Sequence, residues 1–243
     1  MRRPQELING SVSGRPYWSY TLYRGPKKEM VQVHYCGTKA SSEAAAQKFL
    51  NEKVLGFDME WPIHPTSDRL QQMIGLIQVA SESQIALFHL GVHTGTTVDD
   101  ILAPSLRYLI ESKNIVKAGN NIWVADCPRL INFFGLKPRG IVDLTVLHRV
   151  VKYGATDPRK ARGRCIAMAK IVEEHLFLPL NKDPNERTSN WSRGLNQKQM
   201  NYAATDAYAG VILYHTLDWK RRSMKPIQPM PEFKELELPI KLI

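Results

Sequence analysis

The chain has 243 residues, 43% of them hydrophobic, and carries a formal net charge of +10 with an isoelectric point near 9.5. That apolar content supports a full core, while no apolar run approaches the roughly 20 residues that span a bilayer, so no membrane association is expected. The basic balance favours a polyanionic partner, nucleic acid first.

Residues 1–16 are polar, with Gly and Pro, and read as a flexible arm. The opening Met1–Glu6 lacks the apolar stretch of a secretory signal. Tyr17–Arg24 and Met30–Cys36 are aromatic and β-branched runs separated by Gly25-Pro26-Lys27-Lys28, which predicts a hairpin. Ser41 or Ser42 then caps a helix, and Val54–Glu60 forms the first central strand. After a loop over Trp61–Arg69, strands are predicted at Met73–Ala80 and Gln84–Leu90 around the turn 81–83. Pro104–Ser112 reads as a helix with Pro in its first turn, and Ile115–Ala118 as a short strand. Asn121–Phe134 is helical, either starting near Asp126 or kinked there by Pro128, and ended by Gly135. A brief strand, Ile141–Asp143, leads into a helix over Leu144–Tyr153. A basic loop, Arg159-Lys160-Ala161-Arg162-Gly163-Arg164, comes next and is expected to be mobile. Ile166–Leu176 is helical and 179–195 irregular. A long helix, capped by Asn196 with Gln199 in capping-box spacing, runs to about Trp219. Three strands followed by alternating helices and strands predict an α/β fold, a mixed sheet covered by helices. Residues 17–220 form a single domain in this reading, and 221–243 a basic, then Pro-rich tail over the surface.

Asp58 and Glu60 end the first central strand. Residues two apart in a strand face the same side, so both carboxylates aim at one spot. Tyr202 and Asp206 stand four apart on the last helix and share a face. Carboxylates gathered this way repel one another unless a cation neutralises them, and hard divalent ions with oxygen ligands fill that role. Asp126 follows the turn Gly119-Asn120-Asn121 and either joins these acids or serves as a helix-start acid favoured by the dipole. Three widely spaced cysteines (Cys36, Cys127, Cys165) read as reduced intracellular thiols. The seven histidines show no ligand spacing, and neither a Ser/His/Asp arrangement nor a phosphate-cradling Gly loop occurs. Zinc, covalent and nucleoside-triphosphate chemistry are therefore not expected.

Phe57-Asp58-Met59-Glu60-Trp61, Asn121…Asp126 and Tyr202-Ala203-Ala204-Thr205-Asp206 together resemble the three exonuclease motifs of the DEDD superfamily, tyrosine subclass. The stretch from Lys182-Asp183 through Arg187-Thr188-Ser189-Asn190-Trp191-Ser192 to Tyr202…Gly210 is similar to the Werner-type exonuclease domains nearly residue for residue. Leu76–Ala80 and Val142-Asp143-Leu144 fit as well. The resemblance covers roughly residues 28–218. One departure lies in the second motif, where Ala125 stands in a place commonly held by an aromatic.

That resemblance implies a ribonuclease H-like fold and 3′→5′ hydrolysis with two divalent ions, Mg²⁺ or Mn²⁺. Asp58, Glu60, Asp126 and Asp206 would hold the ions, and Tyr202 would position or deprotonate the attacking water. Met59 and Trp61 would pack on the terminal nucleotide or else belong to the core. Asn121 joins the substrate-facing set. Lys182 and Arg187, with Arg159, Lys160, Arg162 and Arg164, would meet phosphates or else form solvated surface. DNA is the expected substrate and DNA repair the expected setting, in the nucleus rather than the cytoplasm. An exoribonuclease of the same fold, or a silent nucleic-acid-binding module, are the competing readings.

Overall fold

The computed structural model describes residues 17–24, 28–157, 159–161 and 163–243. The expected arm over 1–16, the turn residues 25–27, and Pro158 and Arg162 of the basic loop lie outside the described residues. Strands are β1 (Gln32–Cys36), β2 (Val54–Glu60), β3 (Leu76–Ala80), β4 (Gln84–Phe88), β5 (Val116–Gly119) and β6 (Ile141–Asp143). Helices are α1 (Lys39–Ala46), α2 (Leu70–Met73), α3 (Val98–Ile101), α4 (Pro104–Glu111), α5 (Ile122–Ala125), α6 (Cys127–Phe134), α7 (Leu144–Tyr153), α8 (Met168–Leu176), α9 (Pro184–Arg187) and α10 (Gln197–Arg222).

The strands form one mixed sheet in the order β1-β4-β3-β2-β5-β6. β2, β3 and β4 are antiparallel neighbours, whereas β1 runs parallel to β4, and β5 and β6 extend the sheet in parallel with β2. β2 is thus an inner strand. Its alternation divides two cores: Leu55, Phe57 and Met59 pack with residues of α1, α4 and α6, and the even-numbered Gly56, Asp58 and Glu60 face α10.

α10 crosses β2 at very short range. A Cβ on Gly56 would overlap the carbonyl of Ala207 and come within 2.7 Å of the Val211 amide, and one on Gly210 would lie 3.1 Å from the Gly56 Cα. Only residues without a side chain permit this approach. Ala203, Ala204, Ala207 and Ala209, all fully buried, keep the rest of the helix face slim.

Several expectations are corrected. The first aromatic run is not a strand: Tyr20–Leu22 is a 3₁₀ turn, and the hairpin shrinks to a single Arg24–Met30 bridge. The Trp18 ring packs instead on Tyr23 and Tyr208, with centroids 5.4 and 6.2 Å away, so burial against α10 outweighs β propensity. α1 begins earlier than expected, because Thr38 accepts from the Ser41 amide and Ser41 accepts from the Thr38 amide, each at 3.1 Å. Met73, expected to open the strand Met73–Ala80, ends α2 instead, and β3 begins at Leu76. Cys127 opens a separate helix after α5, resolving the break at Asp126. The tail folds back on the body: Gln228 is fully buried, and Glu235 accepts from the Gly140 and Ile141 amides at the edge of β6.

Candidate active site

β2 and α10 meet where Asp58, Glu60 and Asp206 point. Carboxylate oxygens of these three residues lie within 4.8 Å of one another. α10 is started by the Asn196–Gln199 capping box, whose two bonds are both 2.9 Å, and Gln199 also donates to Ser189. This anchored first turn leads directly to Tyr202 and, one turn later, to Asp206. Lys182 donates to Asp206 Oδ2 at 2.6 Å, stands 3.4 Å from the Tyr202 hydroxyl, and sits 5.0 Å from the Tyr202 ring centre. Trp191, fully buried, supports the Tyr202 ring at 6.1 Å between centroids.

Crowding and burial dominate the electrostatics. Burial, then the charge of Asp206, pushes the Asp58 carboxyl up to about 7 against the opposing pull of Lys182. Glu60 rises well above the usual carboxylate range through burial and the charges of Asp58 and Asp206. Burial alone would lower Lys182, but Asp206, Asp58 and Glu60 reverse the effect and raise it. Tyr202 is likewise driven upward by burial and by the three acids. A buried set of oxygen donors that raise one another's proton affinity fits a hard divalent cation.

Asp126 stands outside the tight trio. It is 3% exposed and stands at the N-cap of α6, where the dipole favours an acid, without making a capping bond. Burial and the Asp58 charge raise its carboxyl well above the ordinary range, while Arg129 opposes them. The same Arg129 lies 4.1 Å above the Trp61 ring and donates to the Met73 carbonyl at 2.7 Å. Arg129 was not singled out from sequence; its place three residues after Asp126, on the same helix face, was the available signal.

A cleft of about 470 Å³ opens beside the acids. Trp61, Asn121, Lys182, Arg187 and Tyr202 border it, together with Asn120, Ile63 and Ala167–Ala169, which sequence reasoning did not pick out. Met59 also borders the cleft but is 3% exposed and packs in the core. Asn121 adopts a left-handed backbone, φ 61°, that turns the chain from β5 into α5. Asn120 accepts from Thr145 at 3.0 Å. In the basic loop, Arg149 donates to the carbonyls of Lys160 and Arg164, each at 2.7 Å, and Ala161 is fully buried. Lys160 pairs with Asp157 at 3.1 Å, and Arg159 and Arg164 are exposed. The loop leads into the cleft wall at Ala167.

Residues 33–220 match the family model described as 3′-5′ exonuclease. The chain is 35% identical over 180 residues to the mouse bifunctional 3′-5′ exonuclease/ATP-dependent helicase WRN, covering 72% of this chain and 12% of that protein. It is 26% identical over 209 residues to an Arabidopsis thaliana 3′-5′ exonuclease, covering 84% of this chain and 64% of that one. It therefore spans less than two thirds of the length of either relative. Among solved structures, the Aedes aegypti Nibbler EXO domain superposes with a TM-score of 0.66 at 20% identity, over 84% of this chain and 94% of that one. Escherichia coli RNase D gives 0.62 at 20% identity, over 78% and 45%. At that identity the structures speak to fold alone, and the fold is the ribonuclease H-like one.

Proposed function

The chain belongs to the 3′-5′ exonuclease family, and from that premise we propose that it shortens DNA from a free 3′ end, releasing nucleoside 5′-monophosphates. One observation carries the reading: Asp58, Glu60 and Asp206 converge within 4.8 Å beside Tyr202 and Lys182 in one cleft. Asp58, Glu60 and Asp206, with Asp126 at the side, would hold two divalent ions, Mg²⁺ or Mn²⁺. When bound, such a pair supplies a charge clamp on the attacking and leaving oxygens of an in-line displacement. Tyr202, held protonated by burial and the surrounding acids, orients the attacking water through its hydroxyl. Trp61, braced by Arg129, offers a stacking surface to the terminal base, which any base can use. Lys182 and Arg187 face the cleft as phosphate partners. Arg159, Lys160, Arg162 and Arg164 attract the strand upstream of the cleft.

DNA is favoured because identity to the helicase-linked exonuclease exceeds that to the RNase D structures. A nuclear site of action and a part in DNA repair belong to the same proposal, supported by the basic balance. Among the described residues no helix is long and apolar enough to cross a membrane. The test is digestion of end-labelled single- and double-stranded DNA and RNA, with free or blocked 3′ ends, in Mg²⁺ or Mn²⁺. Stepwise shortening of free 3′ DNA ends is expected. Preferential loss of RNA would transfer the reading to an exoribonuclease, and cutting of closed circles would reject an exonuclease.

A further inference from the structure

α7, α8 and the C-terminal end of α10 bring together residues that the sequence spacing kept apart. His148 on α7 and His175 on α8 are separated by 27 residues, yet His148 Nδ1 and His175 Nε2 face each other at 2.9 Å. Glu174 Oε1 lies 4.0 Å from the same His175 nitrogen, and the three donor atoms fall within 4.8 Å of one another. Both rings are buried, 2% and 5% exposed. The carboxylate is oriented from its other oxygen, Oε2, by Lys152 at 2.6 Å. Lys220 on α10 contacts His175 Nδ1 at 2.8 Å. Lys220 is fourteen residues beyond Asp206, roughly 21 Å along the helix, so this cluster is separate from the carboxylate cleft.

We propose that His148 Nδ1, His175 Nε2 and Glu174 Oε1 form a binding site for a transition-metal ion, Zn²⁺ by ligand class, which ties α7 to α8 and leaves a fourth position to water. Imidazole nitrogens with one carboxylate select zinc-like ions over the Mg²⁺ and Mn²⁺ that all-oxygen sites prefer. Two zinc-bound nitrogens at about 2.0–2.1 Å from a tetrahedral ion stand about 3.3 Å apart, so from their 2.9 Å contact the rings need to part by a few tenths of an ångström and to turn until both lone pairs aim at the ion. Charge states agree with the geometry. Burial, then Lys220, pushes His175 down to about 4, and burial lowers His148 as well, so both rings are neutral at pH 7. Against its burial, the Lys152 hydrogen bond holds Glu174 below its ordinary value.

The experiment titrates Zn²⁺ into the chelator-stripped full chain under saturating Mg²⁺, which occupies the carboxylate site. Binding is read by competition with a chromophoric chelator, by visible absorption of Co²⁺ in the same site, and by melting temperature. One ion per chain and a raised melting temperature are expected. Glu174→Gln alters a partly exposed side chain and tests the site without disturbing the core. It should weaken binding at least about tenfold, since even the outer partners of ligands are worth about 10–100-fold. His148→Gln should abolish the Co²⁺ spectrum, and Asp206→Asn should leave the chelator competition for Zn²⁺ and the Co²⁺ spectrum unchanged. Absence of a bound ion at micromolar Zn²⁺, full binding in Glu174→Gln, or loss in Asp206→Asn would overturn the proposal.

Discussion

Asp58→Asn should stabilise this protein when chelator is present, an unusual result for a polar residue in a candidate active site. The Asp58 carboxyl is pushed from an ordinary 3.8 up to about 7 by burial and by Asp206. Between those values the native state binds more protons than the unfolded state. Stability contributed by the protonated group is therefore complete below about pH 4 and is lost as pH rises through about 7. A gap of roughly three pH units, at about 1.4 kcal/mol per unit, is about 4 kcal/mol. Asp58 is partly open to the cleft, so about half that figure, about 2 kcal/mol, is the gain expected from the uncharged amide at pH 8. For a chain of this size it corresponds to about 4–8 °C in melting temperature. Urea denaturation of both proteins in EDTA, from pH 4 to pH 8, measures it: the curves should meet at the acid end and diverge with Asn on top. Adding Mg²⁺ or Mn²⁺ should raise the wild type and not the variant. Equal stabilities at pH 8, or a gap independent of pH, would refute the account of carboxylate crowding.

Lys182→Gln works in the opposite direction. Removing the ammonium 2.6 Å from Asp206 should lower the melting temperature in EDTA at pH 8 and tighten Mg²⁺ binding several-fold by calorimetry. Weaker Mg²⁺ binding would show that Lys182 does not balance the acids. Tyr202→Phe keeps the ring against Trp191 and all the acids, so ion affinity should persist while kcat falls by about 100-fold, the scale of a lost proton-transfer or orienting group. Replacing Arg159, Arg162 and Arg164 with Gln should raise KM, leave kcat at saturation, and flatten the salt dependence by up to about two to three log units per log salt. An unchanged slope would mean the loop touches no substrate.

Where local pattern decides the structure, the sequence was readable in detail. β6 and α7 fall where Ile141–Asp143 and Leu144–Tyr153 predicted, and Asn196 opens α10 through the expected capping box. The shared face of Asp58 and Glu60 follows from strand period alone. Tertiary contacts were not readable. Trp18 and Tyr23 have strand-like composition, but the ring of Tyr208, nearly 200 residues away, determines their conformation. The reach of Lys182 to Asp206 depends on how 177–187 is led past α10, a path with no periodic signature. His148 and His175 meet only because α7 and α8 pack side by side, a relation invisible to spacing rules. Lys117 gives the sharpest contrast: nothing in its pattern marks this strand lysine as buried, yet it is 1% exposed and donates to the carbonyls of Ser112 and Ile115.

The contact between Gly56 and α10 makes the two sides of the site mechanically unequal. Asp58 and Asp206 are borne on main chains that touch with no side chain between them, so their separation is gauged by direct backbone-to-backbone contact. Repacking of leucines or valines elsewhere in the core, or thermal swelling, has no lever on that gap. Asp126 hangs instead from the junction of two short helices seated through Ile122, Cys127 and Leu130, and side-chain packing of that kind has slack. The cleft therefore has a stiff jaw and a compliant one. Drift in the core should be felt first at Asp126, with the Asp58–Asp206 jaw holding its spacing until α10 itself lifts from the sheet.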